Sequence, residues 1–279
     1  MRKINSIRVT ELVRRLAIEA NLCLRKDVLK SIERAARTET APSARRILRM
    51  LIQNARIARA KSIPICQDTG FAEVFCRIGQ GVVVKGGLTA AINKGIMLGY
   101  RDGFLRKSVV SDPLLRKNTK TNTPCVIDYD VVKGDKIRIT VVPKGFGSEN
   151  ASAIIMLKPT DTEESIIDFV LDVVRRAGRD ACPPLVIGIG IGGTMDKAAL
   201  LATKAITLPI GKRQAKEHLA RIGGMIMERL NKTGIGPAGL GGKTTCLGVN
   251  ILSFPTHIAG LPLCVKISCH ATRSANGVL

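Results

Sequence analysis

Residues 62–75 read "SIPICQDTGFAEVF", which sets a thiol (Cys66), an amide (Gln67), a carboxyl (Asp68) and a turn glycine between two apolar runs. Cysteine, glutamine and aspartate are poor residues for mid-strand, and a thiol beside an acid and an amide on one tight turn is a chemical grouping rather than a packing one. A second thiol, Cys182, is followed by two prolines and then an apolar run. A third, Cys269, lies between an apolar run and the polar "CHATR". By default most of the eight thiols (23, 66, 76, 125, 182, 246, 264 and 269) read as small buried hydrophobes. There is no C-x-x-C and no secretory signal, so the expectation is a reduced, cytoplasmic chain whose cysteines meet only through folding. Three histidines are available, at 218, 257 and 270, the last two near cysteines.

Two glycine stretches imitate nucleotide motifs and fail as such. "GIGIGG" (188–193) fits G-x-G-x-x-G between a strand and a helix, but no acid ends a following strand where a ribose would need one. The expectation there is a helix N-terminus that approaches some other anion through its free amides. "GPAGLGGKTT" (236–245) places Pro237 where a phosphate-binding loop requires glycine, leaving a loop that can bring its backbone close to another element. "KGFGSENAS" (144–152) is a third polar, glycine-containing turn, read with an N-cap serine.

The elements that must position these groups follow from periodicity. Residues 7–61 repeat apolar positions at helical spacing, as in Val9, Leu12, Val13 and Leu16. The Arg-rich opening has a transit-peptide flavour, but Glu11 and Glu19 inside it favour an ordinary first helix. Residues 72–86 predict strand, glycine turn, strand, and 88–103 a helix. After a basic, proline-containing loop, 125–145 predict a hairpin turning at Lys-Gly-Asp. A helix with early acids and late arginines covers "TEESIIDFVLDVVRRAG". Then come strand, turn and helix over 182–208, a helix over 214–231, and strands near 246–253 and 262–268. Without sustained strand–helix alternation, the fold class is α+β, with a helical lead-in over about 1–61 packed on mixed or antiparallel sheets. One domain over 1–279 is expected.

The chain has 44 Lys and Arg against 22 Asp and Glu, for a net charge of +22, and residues 1–62 hold 16 basic and 5 acidic side chains. Aromatics are only 3%, which argues against single-stranded nucleic acid, since base stacking needs them. An acidic partner chain or a solvated face is the preferred use of the charge. No apolar run is long enough to span a membrane.

Taken in order, "IPICQDTG", "LRKSVVSDPL", "PKGFGSEN", "ACPPLVIGIGIGGTMDKAALLATKAI", "NKTGIGPAGLGGKTT" and "THIAGLPLCVKISCHATR" resemble the iron–sulfur-dependent class I fumarase and L-tartrate dehydratase family, in its N-terminal half or separate α subunit. The resemblance runs from about residue 7 to 275. It implies a 4Fe–4S cluster held by Cys66, Cys182 and Cys269 with one iron open to substrate. It also implies Gln67 and Arg106 on the substrate carboxylates, Asp68 in proton transfer, His257 near the substrate, and Gly145 and Gly147 lending backbone amides. The expected activity is reversible hydration of fumarate to (S)-malate, with dehydration of L-tartrate or a related dicarboxylate as the alternative. A basic nucleic-acid-binding protein and a nucleotide-binding module are the remote ones. The resemblance further implies a β subunit that completes the site, in an (αβ)2 hetero-oligomer. Phe146, Asn250 and His270 depart from residues frequent in the family.

Overall fold

The computed structural model describes residues 1–211, 214 and 216–279. In chain order the elements are β1 (Arg2–Asn5), α1 (Ser6–Leu22), α2 (Lys26–Thr38), α3 (Pro42–Lys61), β2 (Phe71–Gly79), β3 (Val82–Lys85), α4 (Leu88–Asp102), β4 (Val126–Val132), β5 (Ile137–Lys144) and the single turn α5 (Phe146–Glu149). They continue with β6 (Ala153–Leu157), α6 (Glu163–Ala177), β7 (Leu185–Gly192), α7 (Met195–Thr207), α8 (Glu217–Lys232), β8 (Cys246–Phe254), β9 (Leu261–Ser268) and β10 (Ala275–Val278). Helices and mixed sheets occur as expected for an α+β chain. The helix expected over 214–231 is α8, and residue 215 lies outside the described residues. Chain contacts divide it into two compact units: 1–25, 55–146 and 273–279, and 26–54 with 147–272.

In the first unit a four-stranded sheet runs β10-β5-β2-β4. β5 pairs antiparallel with both neighbours, whereas β2 and β4 are parallel. The hairpin expected over 125–145 therefore does not form. Its two strands exist, but β2 lies between them and takes the hydrogen bonds of both. Likewise β3 pairs with β1, in parallel, and not with β2. Alternation reveals a strand and cannot reveal its partner. Leu12, Val13 and Leu16 of α1, Ile92 and Ile96 of α4, and Val74, Ile137 and Ile139 of the sheet form one buried cluster. A Cβ on Gly95 would stand 2.6 Å from Val13 Cβ, and one on Gly99 2.8 Å from Ala17 Cβ. These two glycines let α4 lie almost backbone-to-backbone on α1, which delivers the fully buried Tyr100 to the sheet's end.

The second unit repeats the pairing pattern, with order β6-β9-β7-β8, β9 antiparallel to both neighbours and β7 parallel to β8. β7 explains its own sequence, LVIGIGIG. Ile187, Ile189 and Ile191 face one way into the core made by α6 and α8. Gly188 and Gly190 face the other way, where added Cβ atoms would stand 2.2 Å from Ala202 O and 2.0 Å from Ala198 O of α7. The glycines of "GIGIGG" thus serve close helix–sheet packing. The loop over 233–245 uses its glycines the same way: a Cβ on Gly236 would meet Gly241 O at 1.9 Å, and one on Gly242 the Ala44 Cβ at 2.6 Å. That loop is anchored by the buried Glu39, whose Oε2 accepts from Lys243 N at 2.9 Å while Oε1 accepts from Thr40 N and Ala41 N. Among the described residues no helix is long and apolar enough to cross a membrane.

Gly190→Ala has no room against Ala198 O and is expected to cost several kcal/mol, roughly the scale of severe overpacking. Gly224, exposed in α8 with nothing within 4 Å of its absent Cβ, should gain about 1 kcal/mol as Gly224→Ala. Urea unfolding of the two variants checks both signs.

Candidate active site

The turn over residues 65–70 is held from behind. It follows α3, and Ile65 N donates to Asn21 O at 3.0 Å. Three consecutive carbonyls, those of Asp68, Thr69 and Gly70, each meet an interior donor. Arg273 Nη2 donates to Asp68 O at 2.8 Å. The Tyr100 hydroxyl lies 2.7 Å from Thr69 O and 2.9 Å from Gly70 O. Asn122 Nδ2 donates to Gly70 O at 3.2 Å. Burial pushes the Tyr100 hydroxyl well above its ordinary pKa, so it stays a donor. Gly70, at φ 80°, has no space for a side chain, since a Cβ would stand 2.8 Å from the Lys144 backbone.

With its backbone turned inward, the turn presents Cys66 and Asp68 half-buried and Gln67 exposed. Asp68 Oδ1 accepts from Gly70 N at 3.0 Å and Oδ2 from Phe146 N at 2.9 Å. Gly145 lies against it: a Cβ there would meet Asp68 Oδ2 at 3.2 Å. The proposed amide contributor Gly145 and the acid are therefore neighbours. The family departure Phe146 supplies a backbone amide that any residue but proline would supply, and its ring stands 6.3 Å from that of Phe71.

Arg106 is exposed, and its carbonyl accepts from Thr69 Oγ1 at 2.9 Å, so it is tied to the same turn. The loop that carries it is rigidly built. Asn122 Oδ1 accepts from Ser108 N at 2.7 Å and Val109 N at 3.2 Å, and Asn118 Nδ2 donates to Lys107 O at 2.9 Å. At its tip Asp112 caps Leu115 N and Leu114 N, and these two bonds hold its carboxyl below the usual range. Phe104, Leu114 and Leu115 on this loop are 92%, 88% and 83% exposed.

In the second unit Cys182 ends a 3-10 turn (Gly178–Ala181) in the left-handed region, at φ 54° and ψ 63°, with its side chain exposed. The turn is braced by Ala238 N, which donates to Pro183 O at 2.8 Å, and by Gly239, whose absent Cβ leaves room for Arg179. A Cβ on the exposed Gly147 would come 3.6 Å from Asp180 O of the same turn. Cys269 follows β9, half-buried, and the next residue, His270, lies with its Nδ1 3.1 Å from Cys182 O. The fold thus brings Cys182 and Cys269 to one end of this sheet. Asn250, another of the three departures, is a buried structural amide donating to Leu208 O at 3.2 Å.

His257 is placed elsewhere. It is exposed in the loop after β8, accepting from Ala259 N at 3.1 Å, and Thr256 Oγ1 ties this loop to Gly193 O beyond β7. Cys182 precedes β7, and Cys269 follows β9, whose last residue pairs with Val186. The length of β7, about 23 Å for eight residues, separates His257 from both cysteines within the chain. Among the described residues no three His, Cys, Asp or Glu side chains are grouped as around one metal ion.

The donor set nevertheless suits a thiolate-bound group. Cys66, Cys182 and Cys269 sit at turns with solvent access. Burial pushes Cys76, Cys125 and Cys246 up to about 12 and Cys264 up to about 11, which makes those four inert packing thiols. Sequence reasoning passed over Arg273, Tyr100 and Asn122, which hold the turn. A lone arginine among small residues ("HATRSAN") was the one available signal.

Comparison with known proteins agrees. The family model described as "Fumarate hydratase (Fumerase)" matches residues 10–278. The "Putative L(+)-tartrate dehydratase subunit alpha" of Methanocaldococcus jannaschii is 39% identical over 278 residues, covering 96% of each chain. The "L(+)-tartrate dehydratase subunit alpha" of Escherichia coli strain UTI89 is 29% identical over 269 residues, 95% of this chain and 89% of that one. The chain belongs to the fumarate hydratase (Fumerase) family and is a hydro-lyase chain.

Alkylation of the metal-free native chain should label Cys182 fastest and Cys66 and Cys269 more slowly, leaving Cys76, Cys125, Cys246 and Cys264 unlabelled until unfolding; mass spectrometry of the peptides reads this out. A raised folded pKa also carries a sign. Cys246 has full stability below its ordinary value of 9.0 and loses it as pH rises toward about 12, at about 1.4 kcal/mol per pH unit. Between pH 8 and 10.5, Cys246→Ala should lose less unfolding free energy than the parent chain.

Proposed function

We propose that the chain is the α subunit of a two-subunit hydro-lyase that moves water on and off a four-carbon dicarboxylate, with L-tartrate as the favoured substrate. The observation that carries this is the similarity, over nearly the full length, to chains named as tartrate dehydratase α subunits. It reverses the order expected from sequence, which put fumarate first. Fumarate and (S)-malate remain the second reading, supported by the description of the matching family model. Loss of water from tartrate yields an enol that becomes oxaloacetate, so the two reactions differ by one hydroxyl on the carbon frame and need the same machinery.

In this reading Cys66, Cys182 and Cys269 hold a 4Fe–4S cluster. When bound, the cluster supplies a Lewis acid for the departing hydroxyl. The chain's own groups do the rest. Asp68, its carboxylate fixed by two backbone amides at half-exposure, delivers or takes the proton of the departing or attacking water. Arg106 offers a planar fork to a substrate carboxylate, which a lysine would not match, and Gln67 adds an amide donor. Gly145 and Gly147 allow an anion to approach the backbone. The separation of His257 from Cys182 and Cys269 gives it no contact with a substrate seated at those cysteines in the same chain.

A β subunit is part of the proposal. Three large apolar side chains, almost wholly exposed on the rigid loop of Arg106 and flanked there by Lys107, Arg116 and Lys117, support an acidic-rimmed partner at this face. Assembly as (αβ)2 and a cytoplasmic, reduced setting complete the reading.

The test is anaerobic co-purification with a β-type chain, followed by iron and sulfide counts and dehydration assays on L-tartrate and (S)-malate. About four irons per αβ pair and preferred loss of water from tartrate are expected, with both lost in Cys66→Ala, Cys182→Ala and Cys269→Ala. Asp68→Asn should keep the iron and lower kcat by roughly 10²- to 10⁴-fold. A wild-type complex that holds iron and prefers malate moves the substrate to the second reading. An iron-free complex, unaffected by the cysteine changes, ends both.

A further inference from the structure

Arg273 is 4% exposed, and the surroundings of its guanidinium are unusual for a buried charge. Nη1 donates to Asn21 Oδ1 at 3.0 Å and Nη2 to Asp68 O at 2.8 Å, while Nε has no hydrogen-bond partner among the described residues. Burying a guanidinium costs several kcal/mol unless it is paired, and no carboxylate is paired with it among the described residues. The carboxylate of the neighbouring Asp68 has its two oxygens taken by Gly70 N and Phe146 N. The guanidinium instead holds Asp68 by its main-chain carbonyl. Both side chains come close to Gly145: a Cβ there would lie 3.2 Å from Asp68 Oδ2 and 3.6 Å from Arg273 Nη2.

We propose that Arg273 is a positioning residue for Asp68: by fixing the Asp68 carbonyl from the interior it aims the carboxyl outward, at the place where the hydro-lyase substrate reacts. This rests on the function proposed above. The arrangement has a mechanical logic. A side chain's direction is set by the peptide planes on either side of its Cα. Clamping the carbonyl of residue 68, with Tyr100 clamping those of 69 and 70, leaves the Asp68 side chain one course. Pairing the guanidinium with the carboxylate itself would have turned the acid inward and withdrawn it from use. The supporting bonds from Gly70 N and Phe146 N then set the carboxyl's rotation. A structural arginine with no such task would be replaceable by an apolar side chain of similar length at no cost beyond stability.

The test compares Arg273→Met, Arg273→Lys and Asn21→Ala, the last removing the guanidinium's other partner. In the metal-free full chain, amide hydrogen exchange is followed at Gly70 and Phe146, the two donors to the carboxylate. Arg273→Met should speed exchange at both by about tenfold or more, with the amides of β2 and β5 changed little. In the anaerobic αβ complex, kcat per cluster should fall about 30-fold or more in Arg273→Met while KM moves less than about threefold. Arg273→Lys should recover part of kcat, and Asn21→Ala should lower Tm with kcat per cluster nearly intact. Unchanged exchange at Gly70 and Phe146, or a kcat per cluster within about threefold of wild type in Arg273→Met, overturns the proposal. A rise in KM at constant kcat also overturns it, since that marks direct substrate binding. A wild-type complex that dehydrates no dicarboxylate fails the functional reading itself, and the exchange data then report whether the clamp exists without it.

Discussion

A loop that exposes a thiol, an amide and an acid together must dispose of its own backbone. Carbonyls at such a turn would otherwise face the same solvent as the reactive side chains, and water would compete for both. In this chain the problem is solved by donors from three distant segments: Arg273 near the C-terminus, Tyr100 on α4 and Asn122 in the loop before β4. Each must be buried, and each must reach the turn's carbonyls, Tyr100 meeting two of them. That requirement propagates outward. Tyr100 arrives only because Gly95 and Gly99 let α4 press onto α1. Asn122 arrives only because the same amide closes the loop of Arg106 through Ser108 and Val109. The turn, the helix pair and the arginine loop are one construction.

The second unit meets a related demand by subtraction. Cys182 must stand clear at the start of β7, and β7 must be covered on both faces. Isoleucines on one face supply apolar area, at about 1.5–3 kcal/mol for each fully buried side chain. Glycines on the other supply nothing but proximity, letting α7 contact the strand backbone. The same device recurs in the loop over 233–245, where glycine lets the chain fold against Arg179 in the turn before Cys182. Glycine richness in this chain is a record of close approaches, which is why two nucleotide-like patterns occur without the rest of either motif.

How far the sequence could be read divides along physical lines. Periodicity located α1, α4, α6 and α7 and the strands β2, β5, β7, β8 and β9, because each buries one face and repeats accordingly. It missed β1, β6 and β10, which are four or five residues long and too short to show a period. It paired β4 with β5 wrongly, since a Lys-Gly-Asp turn between two alternating runs is the usual hairpin signal and β2, fifty residues earlier, leaves no local mark. Turn chemistry made Cys66, Gln67 and Asp68 conspicuous. The groups that hold them were invisible for the opposite reason. An arginine among 44 basic residues, or a tyrosine on an amphipathic helix, looks the same in sequence whether it faces solvent or a buried carbonyl.

The eight cysteines show how environment, with composition held constant, separates chemistry from packing. Cys246 and Cys264 lie in strands, whereas Cys182 and Cys269 lie just outside them, Cys269 only five residues beyond Cys264. Burial raises the first pair beyond any useful range, whereas two turns leave the second pair accessible at one end of the same sheet. His257, at the opposite end, illustrates the converse. It stands twelve residues before Cys269, close by any sequence measure, yet β9 runs the length of the sheet between them. A histidine and a cysteine at the two ends of one strand stand a strand's length apart, however close their spacing in sequence. The groups that the fold ties to one turn, Cys66, Gln67, Asp68 and Arg106, belong to one unit, and Cys182 and Cys269 belong to the other.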